Sequence, residues 1–178
     1  MNNGMSALEA ITTRISVRKF TDQPVTDEQV RILINAAFCA PSACNKRPWE
    51  FVVVRDRETL STFAKKIRYQ QMLADAPLAI VVCGSESRAV NNDMLMCDCS
   101  AAVQNILLAA QSMGLGACWC GTCALKTSVK LARCLLNLPE DVLSVATIAV
   151  GWPDESREQK DRYRPEHVHF DMFDNKRS

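Results

Sequence analysis

Hydrophobic residues recur at helical spacing in several parts of this chain, and capping motifs stand in front of two of these segments. Thr26-Asp27-Glu28-Gln29 has the form of a capping box, and the apolar residues after it share one helix face: Val30, Leu33, Ile34, Ala37 and Phe38. Pro41 is expected to end this helix. A similar motif, Ser6-Ala7-Leu8-Glu9, predicts a short helix that ends near Arg14.

Short runs of β-branched and aromatic residues alternate with these helical patterns. Trp49 to Val54 and Leu78 to Cys83 both predict strands. Between them, an amphipathic helix is predicted by the apolar positions Leu60, Phe63, Ala64 and Ile67, with Lys65, Lys66 and Arg68 directed outward.

The segment from Asp93 to Met113 is apolar on nearly every face, and Gly114 after it is suited to a helix C-cap. A helix of this kind is expected to be buried all round, either in the centre of the domain or at a subunit interface.

The last third of the chain begins with a glycine-rich segment and continues into a stretch of charged residues. Leu115 to Gly121 predicts a strand or an extended loop, Thr127 to Leu136 a helix, and Val145 to Val150 a buried strand. Charged residues dominate from Asp154, and the alternation of His167 to Phe173 then predicts a final strand, which would need a sheet edge of its own chain or of a partner. The whole pattern predicts one α+β domain over residues 1–178.

The composition narrows the classes of function. The chain has 21 Lys and Arg against 20 Asp and Glu, which gives no overall field for nucleic acid or an anionic membrane surface. There is no signal-peptide pattern, and no apolar run reaches the ~20 residues of a spanning helix. The nine cysteines are an odd number within apolar segments, which favours free thiols in a reducing compartment. We therefore expect a cytoplasmic protein.

Two segments offer groups that could bind a phosphorylated, polar-edged ligand. Arg14, Ser16 and Arg18 alternate, so an extended backbone would project all three to one side as a phosphate clamp, although a solvated basic turn has the same pattern. In the segment Ala40-Pro41-Ser42-Ala43 and Asn45 after it, the Ser42 hydroxyl and the Asn45 amide could contact the edge of a ligand. Trp49 would then form a wall of the binding site. An ordinary turn that leads into a strand is the alternative.

The cysteines raise the question of a metal. Cys118, Cys120 and Cys123, with Cys97 and Cys99 upstream, could suggest a zinc or iron–sulfur site, but their spacings match no common ligand signature. His167 and His169 would share a strand face, for which strand pairing is the favoured role. We therefore predict no metal site, and a non-catalytic, thiol-rich metal-binding module remains an alternative of another class.

Taken together, these motifs resemble the FMN-dependent nitroreductase family. The most specific match is Arg14-x-Ser16-x-Arg18 followed by Ala40-Pro41-Ser42-Ala43-x-Asn45-x-x-Pro48-Trp49. Gly114 to Gly121 and Leu138 to Pro153 extend it over nearly the whole chain. The resemblance implies a nitroreductase-like sandwich, in which a central, mostly antiparallel sheet is flanked by helices. It also implies an intertwined homodimer with FMN at the interface and residues 154–178 as a tail that embraces the partner.

The resemblance also implies which residues bind the cofactor. Arg14, Ser16 and Arg18 would bind the FMN phosphate and ribityl chain, and the flavin would be lined by Pro41, Ser42, Ala43 and Asn45, the last towards the pyrimidine edge. Trp119, Cys120 and Gly121 match the loop that faces flavin N5, with the backbone N–H groups of Cys120 and Gly121 as donors. Arg162 or Arg164 would complete the phosphate site, and Gln70 or Gln71 would contact the ribityl chain or phosphate.

The implied activity is NAD(P)H oxidation coupled to reduction of nitroaromatics, quinones or similar small acceptors. Hydride would pass through flavin N5 in a ping-pong reaction, with NADH or NADPH as reductant and no catalytic side chain. Reductive dehalogenation and flavin breakdown are alternatives on the same cofactor. The chain departs from the family at Arg47, where Gln is common, and in the short connection Gly84 to Asn92.

Overall fold

The structure is a computed structural model that describes residues 5–156 and 161–176. Its helices are α1 (Ala7–Thr13), α2 (Asp27–Phe38), α3 (Arg57–Lys66), α4 (Asn92–Ser112) and α5 (Lys126–Leu136). Its strands are β1 (Trp49–Val54), β2 (Leu78–Ser85), β3 (Gly116–Gly121) and β4 (Val142–Gly151). Short 3₁₀ turns occupy Ala43–Asn45, Gln71–Ala74 and Pro165–His167.

Side-chain caps fix where the helices begin. At Thr26 both halves of the predicted capping box form, and at Ser6 the hydroxyl accepts the Glu9 N–H at 3.2 Å. Asp56 and Asn91 cap α3 and α4 in the same way. All five predicted helices are therefore confirmed, with ends that differ by a few residues.

The four strands form one antiparallel sheet in the order β1-β2-β4-β3. β2 and β4 are central and buried along nearly their whole length, so their continuous apolar runs are explained by helices on both faces. β1 and β3 are the two edges. The four strands predicted before residue 151 are confirmed, and β4 begins three residues earlier than its apolar run suggests.

Helices cover both faces of the sheet and make the predicted sandwich. On one face α2 and α4 pack with residues such as Leu33 and Ile106 against Ile80 and Ile148. On the other face α3 and α5 pack against the alternate sheet residues, for example Phe63 against the layer that includes Val81. The fold class predicted from the sequence is confirmed.

The long helix α4 is buried along one side and partly open along the other. Leu95, Cys99 and Ile106 belong to the core between α4 and the sheet. Leu108 and Ala109 instead line a cavity of about 360 Å³ between α1, α2 and α4. The centre of the domain therefore does not bury α4 on every side, and burial of the face that carries these two residues at a subunit interface stays a prediction.

The predicted final strand is also wrong in the described part of the tail. Pro165–His167 forms a 3₁₀ turn, and Asp171 and Asp174 adopt left-handed backbone angles, φ 64° and 65°, which interrupt extended pairing. The ring of His169 stacks on Phe173 at 4.2 Å and accepts the Asp174 N–H at 2.8 Å, so the alternating residues serve a local turn. Phe173 is 80% exposed.

No helix among the described residues has the length and apolar character needed to cross a membrane.

Candidate functional site

The segment Arg14 to Arg18 is extended and lies along the outer edge of β3. The Val17 N–H donates to the Ala117 carbonyl at 3.0 Å, and Ser16 and Ala117 form a parallel bridge. Val17 is buried, whereas Arg14 and Ser16 are half-exposed and Arg18 is exposed. The alternation that we predicted is confirmed, and the buried valine anchors the three polar residues to the sheet edge.

A carboxylate that the sequence analysis missed holds the end of this segment. Glu155 Oε1 accepts the backbone N–H groups of Arg18 at 2.5 Å and Lys19 at 3.3 Å. The neighbouring Asp154 N–H donates to the Lys19 carbonyl at 2.9 Å. The chain that leaves β4 therefore fixes the backbone next to the candidate phosphate clamp. No sequence signal marks Glu155, because it is one of several charges in a polar stretch.

Cys118 and Cys120 lie on one face of β3, where both are buried. A hydrogen bond with the Cys120 thiol lowers the pKa of Cys118 to about 7, and the charges of Arg18 and Arg14 also lower it. Burial and the charge of Glu155 act in the opposite direction and raise it. The hydrogen bond to Cys118 and burial raise the pKa of Cys120. The charges of Arg14 and Arg18 therefore favour the thiolate form of Cys118.

Gln70 is fully buried, and neither its amide oxygen nor its amide nitrogen has a partner within the described residues. It lies two residues before Met72, whose sulfur is 3.5 Å from the Cys120 sulfur. Tyr69 before it has a left-handed φ of 69°. A buried amide without partners costs about 1–3 kcal/mol, so this side chain is suited to a ligand that offers both a donor and an acceptor.

The backbone of β3 is open beyond Ala117. Because the Ala117 carbonyl points to the outer edge, the alternation of a strand directs the N–H groups of Trp119 and Gly121 to the same edge, and that of Cys120 towards β4. A Cβ atom added at Gly121 would meet nothing within 4 Å. Trp119 is 39% exposed on the face opposite to Cys120.

The second predicted segment, Pro41 to Asn45, forms a tightly wound loop before β1. Ser42 Oγ accepts the Arg47 N–H at 3.0 Å, and Asn45 Oδ1 accepts from Arg47 Nε at 2.8 Å. The Ala43 N–H donates to Asp98 Oδ1 of α4 at 2.9 Å. Ser42 and Ala43 are half-exposed, and Pro41 and Asn45 are exposed. Both polar side chains thus lie at the surface, where Arg47 already donates to the Ser42 hydroxyl and to the Asn45 amide oxygen.

Trp49 does not form a wall of this loop. Its side chain is 2% exposed and packs in the core between the sheet and α4. The expectation of an aromatic wall is wrong, because the first residue of β1 faces the helix layer.

The structure places the two predicted segments at opposite edges of the sheet. Arg14 to Arg18 lies outside β3, and Pro41 to Asn45 leads into β1, so four strand spacings of about 19 Å in total separate the Arg14–Arg18 segment from β1. Arg162 and Arg164 lie in the exposed tail, where the Arg164 guanidinium donates to the Tyr163 carbonyl at 2.8 Å. One chain therefore brings Arg14, Ser16 and Arg18 to Trp119–Gly121, and it does not bring them to Pro41–Asn45.

All nine cysteines are free thiols. Within residues 5–156 and 161–176, no three His, Cys, Asp or Glu side chains are grouped so that they could hold a metal ion.

Comparison with known proteins supplies a family. The model of the nitroreductase family matches residues 11–68 and 64–152. A protein of Methanothermobacter thermautotrophicus, named as an inferred NADH dehydrogenase/NAD(P)H nitroreductase, is 42% identical over 169 residues, which span 95% of this chain and 88% of that protein. The NADPH-flavin oxidoreductase of Vibrio harveyi is 33% identical over 180 residues, which span 94% of this chain and 72% of that protein.

A solved structure agrees with these sequence matches. The FMN-dependent nitroreductase of Clostridium difficile superposes with a TM-score of 0.87 at 30% identity, and the match covers 93% of this chain and 99% of that one.

Proposed function

The chain belongs to the nitroreductase family, and we propose that it reduces small acceptors such as nitroaromatics and quinones with electrons from NADH or NADPH. It is an NAD(P)H-dependent flavin oxidoreductase with FMN as its cofactor. The observation that carries the proposal for this chain is the convergence of two arginines, a serine, an open strand edge and an unpartnered buried amide around β3.

These groups fit FMN. Arg14, Ser16 and Arg18 would hold its phosphate, since guanidinium–phosphate bonds are charge-assisted and can be bidentate. The amide of Gln70 would gain the donor and acceptor that it lacks in the chain alone. The space in front of Gly121 leaves room for a planar ring against the backbone, where a side chain would obstruct it.

The strand geometry divides the roles of the two residues that were expected to face flavin N5. The Gly121 N–H is directed to the open edge of β3, so we assign the donor role to Gly121. The Cys120 N–H is directed towards β4, where the register pairs Cys120 with Thr147. Cys120 would therefore act through its neighbours and not as a donor to the flavin.

Pro41, Ser42, Ala43 and Asn45 would reach the cofactor from a second copy of the chain. Within one chain they are at the far edge of the sheet, so a homodimer would complete the site from one subunit's β3 edge and the partner's β1 edge. The exposed tail over residues 161–176 would add Arg162 or Arg164 to the phosphate site in the same assembly. Deletion from Arg164 onward should then lower dimer stability, measured by light scattering, and FMN retention together. A truncated protein that stays dimeric with full flavin would overturn this assignment.

FMN, when bound, would supply the redox chemistry, a ping-pong transfer of hydride from NAD(P)H to the acceptor. The chain contributes binding and electrostatics. Arg14 and Arg18 neutralise phosphate charge, and the Gly121 N–H orients the ring by a hydrogen bond. No side chain of the site is required to move a proton, which agrees with the absence of histidine among the residues assigned to it.

Arg47 gives the site a property of its own. It is exposed, and its guanidinium hydrogen-bonds to the Asn45 side chain, so its charge would lie beside the flavin. We propose that this charge favours acceptors that carry an anionic group. In the variant Arg47→Gln, the KM for a nitrobenzoate should rise while that for a neutral nitroaromatic stays unchanged. Equal effects on both would overturn this preference.

The decisive experiment uses the purified protein as it is isolated. We expect a yellow protein whose flavin absorbance bleaches on addition of NADH or NADPH and recovers with a nitroaromatic or quinone. A colourless protein that FMN cannot reconstitute, with stoichiometric zinc or iron by elemental analysis, would instead support a metal-binding module. Turnover of iodotyrosine or of free reduced flavin in preference to nitroaromatics would support the alternative flavin reactions. We propose a cytoplasmic location, which the nine free thiols support because a reducing compartment keeps thiols unpaired.

A further inference from the structure

Asp98 is an acidic residue in an otherwise apolar part of α4. Its side chain is only 5% exposed, and one oxygen, Oδ1, accepts the Ala43 N–H at 2.9 Å. The other oxygen, Oδ2, has no hydrogen-bond partner within the described residues. A buried acidic group of this kind is unfavourable for stability in an apolar layer, so its presence calls for a role that a leucine or alanine could not fill.

The loop that Asp98 contacts is held in a strained conformation. Cys44, Asn45 and Arg47 all adopt left-handed backbone angles, with φ between 48° and 53°, although none of them is glycine. Such strain persists only where surrounding contacts enforce it, and it is concentrated at functional sites. Residues 42–47 are thus held in one particular shape.

Most of the contacts that shape this loop lie inside it and would move with it. The Arg47 N–H bonds to Ser42, the Arg47 side chain to Asn45, and the Lys46 N–H to the Ala43 carbonyl. The bond from the Ala43 N–H to Asp98 is different, because its acceptor lies 55 residues away on a helix that packs against the sheet. It ties the strained loop to the rigid body of the domain.

We propose that Asp98 is a positioning residue that fixes the Ser42–Arg47 loop in the shape required to line FMN. The inference rests on the proposed function for the role of the loop, and on the structure for the contact. Ser42 and Asn45 present their polar groups from a backbone that has no regular secondary structure beyond a single 3₁₀ turn. Among the described residues, the hydrogen bond from Ala43 to Asp98 is the one that joins this loop to α4, so the placement of Ser42 and Asn45 depends on it.

The first test measures the loop in the flavin-free protein, so that it does not depend on FMN. We expect Asp98→Ala to accelerate amide hydrogen exchange at residues 43–47 by at least about tenfold, with exchange in β2 and β4 unchanged. Asp98→Asn keeps an oxygen that can accept from the Ala43 N–H, so it should restore most of the protection. Asp93→Ala, an exposed position on the first turn of the same helix, is the matched control and should leave the loop unchanged.

The second test measures FMN affinity and the visible spectrum of the bound flavin. Asp98→Ala should weaken FMN binding about tenfold and shift the flavin spectrum, and Asp98→Asn should recover both. Wild-type exchange at residues 43–47 in Asp98→Ala would overturn the proposal, as would faster exchange in the loop with unchanged FMN affinity and spectrum. Failure of the proposed function would be distinguished from these results, because the wild-type protein itself would then not bind FMN.

A third variant keeps the proposal testable if Asp98→Ala does not fold. Ala43 is the first residue of its 3₁₀ turn, and Ser42 before it is extended, with ψ 151°, so proline is sterically acceptable at position 43. Ala43→Pro removes the donor and leaves Asp98 in place. It should weaken FMN binding because the bond to Asp98 is lost, whereas Asp98→Asn, which keeps an acceptor for the Ala43 N–H, should not. Wild-type FMN affinity in Ala43→Pro would overturn the proposal.

Discussion

Gly116 is the position where one added methyl group should displace the candidate phosphate clamp. An alanine Cβ there would lie 2.7 Å from Val17 Cγ1 and 2.8 Å from Val17 Cβ. Val17 Cβ is attached to the backbone, so rotation of the side chain cannot relieve the second contact. To restore ordinary van der Waals separation, the backbone of the Arg14–Arg18 segment has to move outward by about 0.6 Å.

The cost of Gly116→Ala can be estimated from two terms. Overpacking of this kind costs about 1–3 kcal/mol of unfolding free energy. The same displacement lengthens the 3.0 Å bond between the Val17 N–H and the Ala117 carbonyl beyond a normal hydrogen bond, which costs about 1 kcal/mol more. Arg14, Ser16 and Arg18 move together with Val17, so FMN affinity should fall by about tenfold, equivalent to about 1.4 kcal/mol.

Two other glycines separate these effects. A Cβ at Gly84 would lie 2.7 Å from Leu95 Cγ on the other side of the sheet, so Gly84→Ala should lower stability and affect FMN affinity less than Gly116→Ala does. A Cβ at Gly121 would meet open space in the chain, so Gly121→Ala should keep stability and weaken FMN binding. Urea unfolding and a fluorescence titration with FMN measure the two quantities. Reduced stability with wild-type FMN affinity in Gly116→Ala would refute the reasoning.

Three further predictions concern charge and thiols. Arg18→Ala should weaken FMN binding by about one to two powers of ten, because a charge-assisted bond of ~1.5–3 kcal/mol is lost. Arg18→Lys should recover only part of this affinity. Unchanged FMN affinity in both Arg14→Ala and Arg18→Ala would show that the segment is a solvated turn. Cys120→Ala should raise the pKa of Cys118 from about 7 towards 9.0, which thiolate absorbance would measure. The same variant should keep most NAD(P)H oxidation. Complete loss of turnover with flavin still bound would imply a redox-active thiol. Burial raises the pKa of Cys83 and of Cys99 to about 12, so the folded state favours the neutral thiols. The free energy of unfolding should therefore fall as the pH rises from 9 to 12. This fall should be less steep in Cys99→Ala. An equal pH dependence in that variant would contradict the last prediction.

The elements that could be predicted from the sequence are those whose cause is local. The helix that begins at Asp27 is marked by Thr26 and Gln29, which bond to each other's backbone regardless of the remaining fold. The strand Trp49–Val54 is marked by its own β-branched residues. The candidate phosphate clamp is marked by alternation over five residues, and the backbone of Arg14 to Arg18 is extended as that alternation requires.

The features that could not be predicted depend on contacts between distant segments. Glu155 bonds to backbone N–H groups 136 and 137 residues earlier, and Asp98 to one 55 residues earlier, so neither has a local pattern. In the tail, by contrast, a local pattern predicted an element that does not form. Its alternation of His167, His169 and Phe173 has the period of a strand, but a turn that joins the ring of His169 to Phe173 and Asp174 uses the same residues.

The distance between the two candidate FMN-binding segments, Arg14–Arg18 and Pro41–Asn45, affects how FMN affinity has to be measured. Because Arg14–Arg18 and Pro41–Asn45 lie at opposite edges of one sheet, a single chain offers FMN only half of the assigned contacts. If a second copy supplies the rest, FMN binding and dimer formation are linked equilibria, and each stabilises the other by mass action. A substitution that weakens the dimer would then also weaken FMN binding without touching the cofactor. The FMN affinity of each variant therefore has to be compared at a protein concentration where the dimer is saturated, so that loss of a contact is separated from loss of the partner.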